Sequence, residues 1–148
     1  MRLAPALLTA SLALTLHSCS GTMDARACLR GGRLAFEFED VPRFLFFKGP
    51  PEPDEIGVQI PGEPSWQGEK EWKRRQMWHA QHYANAQPEN RQRSIIFYGQ
   101  PLDGFTVTQG PRPLRAGVTY RIWVHAGGLV GSADFTYSTQ LPTCTKPA

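Results

Sequence analysis

Hydrophobic and polar residues alternate along much of the chain. Leu34, Phe36 and Phe38 share one side of an extended segment and Glu37 and Glu39 the other, the pattern of a half-buried strand with its carboxylates on the solvent face. The aromatic run Phe44-Leu45-Phe46-Phe47 predicts a second strand, buried on both faces. Gly49-Pro50-Pro51-Glu52-Pro53-Asp54 then interrupts regular structure. Ile56, Val58 and Ile60 alternate again until Pro61-Gly62. Ser94-Ile95-Ile96-Phe97-Tyr98 and Phe105-Thr106-Val107-Thr108 flank a turn-rich stretch and read as two strands of a hairpin. The clearest alternation follows: Val118, Tyr120, Ile122 and Val124 on one face, with Thr119, Arg121 and Trp123 on the other. Gly127, Gly128 and Gly131 mark a turn, and Phe135 and Tyr137 lie in the returning strand. About seven short strands predict an all-β domain over residues 28–148. A two-sheet β-sandwich is the first expectation and a partly open β-barrel the alternative.

One segment breaks the pattern. Residues 66–93 are polar and read as an insertion into the β domain, although they carry three of the four Trp residues. A helix would place Trp72, Gln76, His79 and Tyr83 on one stripe, whereas a strand would give Trp72, Gln76, Trp78 and Ala80 the same parity, and periodicity leaves both open. Trp and Arg are enriched at the energetic centres of interfaces, which makes Trp66, Trp72, Arg74, Arg75 and Trp78 the candidate contact surface. The competing reading is a sheet edge covered by Trp, with solvated charges around it.

The N-terminus changes the setting. Arg2 precedes fourteen uncharged residues rich in Ala and Leu, which form a secretory signal too short for a transmembrane helix of about 20 residues. The run stops at Leu16-His17-Ser18-Cys19, which resembles the lipobox of bacterial lipoproteins, with His17 where a small or aliphatic residue is usual. The resemblance implies a signal peptide over 1–18, acylation of Cys19 and a membrane-bound mature chain. Ser20 in place of Asp after that Cys implies the outer membrane under the sorting rule of Gram-negative lipoproteins. A second cleavage motif, Ala25-Arg26-Ala27, lies farther from the apolar run. Residues 19–27 read as a short linker, whose eight residues after Cys19 span at most about 29 Å and keep the domain near the membrane.

Three cysteines in an exported chain leave one over. With Cys19 lipidated, Cys28 and Cys144 remain, and an oxidising compartment lets them pair. Such a bridge closes a long loop, worth roughly 4 to 5 kcal/mol in the chain-entropy model. It would fasten the start of the domain to its end.

Residues 111–137 also resemble the late strands of immunoglobulin-like and fibronectin-like sandwiches, in which a proline-leucine turn and a glycine precede a Tyr-x-hydrophobic strand and a glycine-rich hairpin. That resemblance implies an architecture and no activity.

Charge and motifs narrow the function classes. The net charge is +3, falling to +2 once Arg2 leaves with the signal, so no nucleic-acid partner is expected. His79, His82 and His125 are the one candidate metal set, and a metal-dependent enzyme using them is the alternative function. No nucleophile elbow or phosphate-binding loop occurs, and no cofactor is expected. The expected role is a non-catalytic binding or accessory module for an envelope protein or glycan; a purely structural lipoprotein is the third reading.

Overall fold

The computed structural model describes residues 21–44, 47–62, 69–83 and 91–147. Eleven strands and one short helix follow one another as β1 (Gly21–Met23), β2 (Ala25–Arg30), β3 (Arg33–Phe38), β4 (Val41–Phe44), β5 (Phe47–Gly49), β6 (Glu55–Gln59), α1 (Glu69–Arg75), β7 (Gln76–His82), β8 (Ile95–Phe97), β9 (Phe105–Gln109), β10 (Thr119–Ala126) and β11 (Leu129–Thr136). A six-stranded sheet runs β1-β11-β10-β6-β7-β9 and a three-stranded sheet β2-β3-β8, while among the described residues β4 and β5 pair only with each other. None of the sheets closes into a barrel, so the architecture is the all-β sandwich and not the barrel alternative.

The core lies between the two larger sheets. Leu34, Phe36, Phe38 and Ile96 point inward from the smaller sheet, and Ile56, Val58, Trp78, Tyr120, Ile122, Val124 and Phe135 from the larger. Phe36 meets Phe135 edge-on, with ring centroids 5.6 Å apart. The β2–β3 turn is Gly31-Gly32, both at positive φ (57° and 73°), the left-handed pair that a two-residue hairpin of matching twist requires.

Beyond β8 and β9, which were expected to pair as a hairpin but lie in different sheets, three segments depart from expectation. Residues 76–82 are no insertion: they form β7, an interior strand between β6 and β9. The ambiguity over this stretch resolves into both structures in succession. Glu69 and Glu71 in its first turn and Lys73, Arg74 and Arg75 in its last suit the helix dipole of α1, and the chain extends from Gln76 onward. A bulge opposite Val58 and Gln59 leaves Met77 extra, so Gln76 and Trp78 fall on opposite sheet faces despite sharing a parity.

Second, Phe44-Leu45-Phe46-Phe47 does not run along one strand. Phe44 of β4 pairs across to Phe47 of β5, and Phe47 is 72% exposed; residues 45 and 46 lie outside the described set. Among the described residues no third strand pairs with β4 or β5, which leaves Phe47 without a sheet to cover it.

Third, the linker span contains structure. Residues 21–23 pair in parallel with Leu129, Val130 and Gly131, and Ala25, Arg26 and Ala27 pair with Phe38, Glu37 and Phe36. Met23 and Ala27 are buried. A three-residue strand is too short to show periodicity, so pattern alone could not reveal β1.

The chain's end is fastened to the outer side of the smaller sheet. Cys28 and Cys144 form a disulfide with 5.0 Å between Cα atoms, and Leu29 exchanges backbone hydrogen bonds with Pro142 and Cys144. Glu37, expected at the surface, is 5% exposed. Its carboxylate accepts from the Thr145 amide at 2.9 Å, the Thr145 hydroxyl at 2.6 Å and Arg26 at 3.0 Å. The terminal segment covers the outer face of β3 at Glu37, which would otherwise be wet.

Candidate functional site

Strand alternation gives the outer face of the six-stranded sheet a distinct composition. Opposite the inward Ile122 and Val124, β10 turns Arg121, Trp123 and His125 outward; β6 contributes Glu55, Gly57 and Gln59, their register partners across the β6–β10 ladder. His79 of β7 pairs with Gly57 and completes a row across three strands.

Gly57 makes this row possible. A Cβ there would lie 2.6 Å from the Trp123 indole, so the ring occupies space that any larger residue would fill. Trp123 thereby reaches His79 on one side, centroids 5.4 Å apart, and His125 on the other at 5.3 Å. Trp72 of α1 meets His79 edge-on at 5.1 Å. With the Gln76 amide in the orientation that satisfies its neighbours, its oxygen accepts the Trp72 indole N–H at 3.2 Å.

Glu55 links the two imidazoles. Its Oε1 lies 2.8 Å from His79 Nε2 and its Oε2 3.2 Å from His125 Nδ1. His79 Nε2 donates to this carboxylate, and its Nδ1 is within hydrogen-bonding distance of the hydroxyl of Thr108 in β9. The His125 side chain, beside Glu55, is 47% exposed. His79, 4% exposed, is held by Glu55, Thr108 and two indoles, and serves as the fixed centre of the row. Arg121 and Asp134 bound the far end with paired contacts of 2.6 and 2.9 Å. The face thus offers aromatic surface, an exposed imidazole and an ion pair, which suits recognition of a partially polar ligand.

The residues expected to form a contact surface separate. Trp78 is fully buried in the core, which removes it from any contact surface, and Trp66 lies outside the described residues. Arg74 and Arg75 both pair with Glu71, at 3.3 and 3.4 Å. Of that set, Trp72 alone joins the row just described. The three histidines do not converge either. His79 and His125 share Glu55, but His82 is an odd number of residues from His79 along β7 and packs on Phe105 at 5.5 Å, on the opposite face. Among the described residues, one close grouping of potential metal ligands occurs, Cys28, Glu37 and Cys144, and its sulfurs are already joined to each other. Cys19 lies outside the described residues.

Glu55, Gly57, Thr108 and Trp123 were not singled out from sequence. Trp123 carried a readable signal, a large aromatic on the polar face of an otherwise regular amphipathic strand. Glu55 and Thr108 carried none, because only the β6-β7-β9 order brings them to His79. Comparison of the chain with protein-family models, with curated proteins and with solved structures finds no match.

Proposed function

We propose that the protein is a lipid-anchored cell-envelope component that binds an envelope partner without catalysis, using the outer face of its six-stranded sheet. The observation that carries the binding role is the row Trp72, His79, Trp123 and His125, fixed by Glu55 and made possible by Gly57. A row of aromatic groups on a solvent-side sheet face needs a reason beyond stability, since the core already lies on the other side.

The position of β1 supports the anchor. Cleavage after Ala27 would remove β1, take Met23 from the core and remove half of β2, whereas cleavage before Cys19 keeps both sheets intact. Acylation of Cys19 with Ser20 following then favours the outer membrane. The test is crosslinking in cells of the full-length protein against a Trp123→Ala variant. Loss of specific adducts, with membrane fractionation unchanged, supports the reading; identical adducts in both count against this face.

A second reading follows from the hydrogen-bond chain Thr108, His79, Glu55. An exposed hydroxyl on an imidazole that is itself held by a carboxylate is the arrangement of an activated nucleophile. In that reading the Thr108 oxygen attacks an ester carbonyl as its proton passes to His79 Nδ1; the ester C–O bond breaks with that proton going to the departing alcohol, and water then hydrolyses the acyl-threonine to the free acid. Covalent labelling by a fluorophosphonate that Thr108→Ala abolishes would favour hydrolysis over binding. The packing of His79 beneath two indoles favours binding, because it limits the approach of a leaving group to the base.

A further inference from the structure

We infer that thiols enter the Cys28–Cys144 bridge only at Cys144, and that the Glu37 carboxylate slows this exchange, so that the bridge is guarded by charge as well as by burial. Cys28 is fully buried, packed with Ala35 and Ile95, whereas Cys144 is half-buried. Exchange begins when a thiolate reaches one sulfur of a disulfide and the other sulfur leaves. The sulfur open to approach is that of Cys144, so the sulfur that leaves is that of Cys28.

The leaving sulfur meets a negative charge. Glu37 Oε2 lies 3.9 Å from Cys28 Sγ, and both sulfurs are within 4.8 Å of that carboxylate. Burial pushes the Glu37 carboxyl upward, but hydrogen bonds from Thr145 and Arg26 hold it at about 2, so it is anionic wherever thiols are reactive. A thiolate released this close to a carboxylate, on a buried residue, is repelled with little screening. Arg26, 3.0 Å from Glu37 Oε2, is half exposed and offsets the carboxylate only in part. Of the other charged groups here, Lys146 pairs with Asp40 at 2.7 Å and Arg30 donates to the Lys146 carbonyl. In reduction by a dithiol, its thiolate attacks Cys144 Sγ, the sulfur–sulfur bond breaks, and the electron pair leaves on Cys28 Sγ, which takes a proton from water. The second thiolate of the dithiol then attacks the reductant's own bound sulfur and Cys144 departs. The bridge gains two electrons and the dithiol becomes a disulfide. Between these steps Thr145 on Glu37 and the Leu29 backbone bonds still clamp the terminal segment, so the freed Cys28 sulfur stays within reach of Cys144 and can close the bridge again.

The test is the rate at which dithiothreitol reduces the folded full-length chain at pH 8, beside Glu37→Gln and Arg26→Gln, with acid quenching and peptide mass mapping to read Cys28 and Cys144 apart from Cys19. Glu37→Gln removes the negative charge at the leaving sulfur and is expected to be reduced about tenfold faster. Arg26→Gln unmasks that charge and is expected to be reduced several-fold more slowly. Loosening of the terminal segment would speed both variants, so the opposite signs separate charge from loosening. Brief exposure of the parent to glutathione should place the adduct on Cys144 alone. Should Glu37→Gln fail to fold, the Arg26→Gln rate and the glutathione map still decide. A folded Glu37→Gln chain reduced no faster than the parent, an Arg26→Gln chain reduced no more slowly, or glutathione on Cys28 overturns the inference.

Discussion

The Trp123 indole lies over Gly57, with room for no Cβ between them. Gly57→Ala must move the ring, since a Cβ would approach it within 2.6 Å. The expected destabilisation is about 1–3 kcal/mol, the usual cost of overpacking. Near-ultraviolet circular dichroism should change while far-ultraviolet spectra persist, and adduct formation should fall with it. In a double-mutant cycle, Trp123→Ala should remove most of the penalty of Gly57→Ala; additive effects would mean that the two residues are not coupled.

Trp72 and Trp78, six residues apart, should behave as different kinds of residue. Trp78 is fully buried, so Trp78→Ala is expected to cost about 3–5 kcal/mol in urea unfolding. Trp72→Ala should cost much less and act chiefly on partner capture, because that side chain is only half-buried. Equal losses of stability would contradict their placement on opposite sides of the sheet.

Acid should loosen the terminal segment. Burial pushes the Glu37 carboxyl upward, but hydrogen bonds from the Thr145 hydroxyl and amide, together with Arg26, hold it at about 2 against an ordinary 4.5. A carboxyl with a lowered folded value contributes stability that is fully present above about pH 4.5 and is lost as pH falls toward 2. The contribution at neutral pH is on the order of 3 kcal/mol. Glu37→Gln should therefore be less stable than the parent at pH 7, with the gap closing by pH 2. A gap independent of pH would place the effect elsewhere.

Reduction of the Cys28–Cys144 bridge acts on the same region. It frees a segment that otherwise closes a loop spanning 116 residues in sequence. Paired Cys28→Ser and Cys144→Ser substitutions are expected to cost about 2–5 kcal/mol. Equal stability of the oxidised and reduced chains would argue that Glu37 and the Leu29 backbone bonds suffice to hold the end.

The β10–β11 hairpin was legible because eight residues in each strand alternate without interruption and a glycine turn joins them. The strand of residues 34–38 was legible for a similarly local reason, and the pairing of Cys28 with Cys144 from the cysteine count. β7 was not, since five consecutive buried residues, Gln76 to Ala80, obscure the period of two. Its outward positions are covered by Trp72, Trp123 and Glu55, contacts made by residues distant in sequence. Glu37 misled for the same reason: alternation identified its face, but the segment that covers that face arrives more than a hundred residues later. The candidate site was the least legible part, because it depends on the order of β6, β7, β9 and β10 more than on any one of them.

The anchor is the claim on which compartment, orientation and partner search all depend. Intact mass of the protein extracted from the membranes of a Gram-negative host, beside Cys19→Ala, tests it directly. The expected result is a chain that begins at Cys19 and carries acyl mass, with membrane association lost in the variant. An unmodified chain beginning at Cys28, soluble and folded without β1, would contradict it.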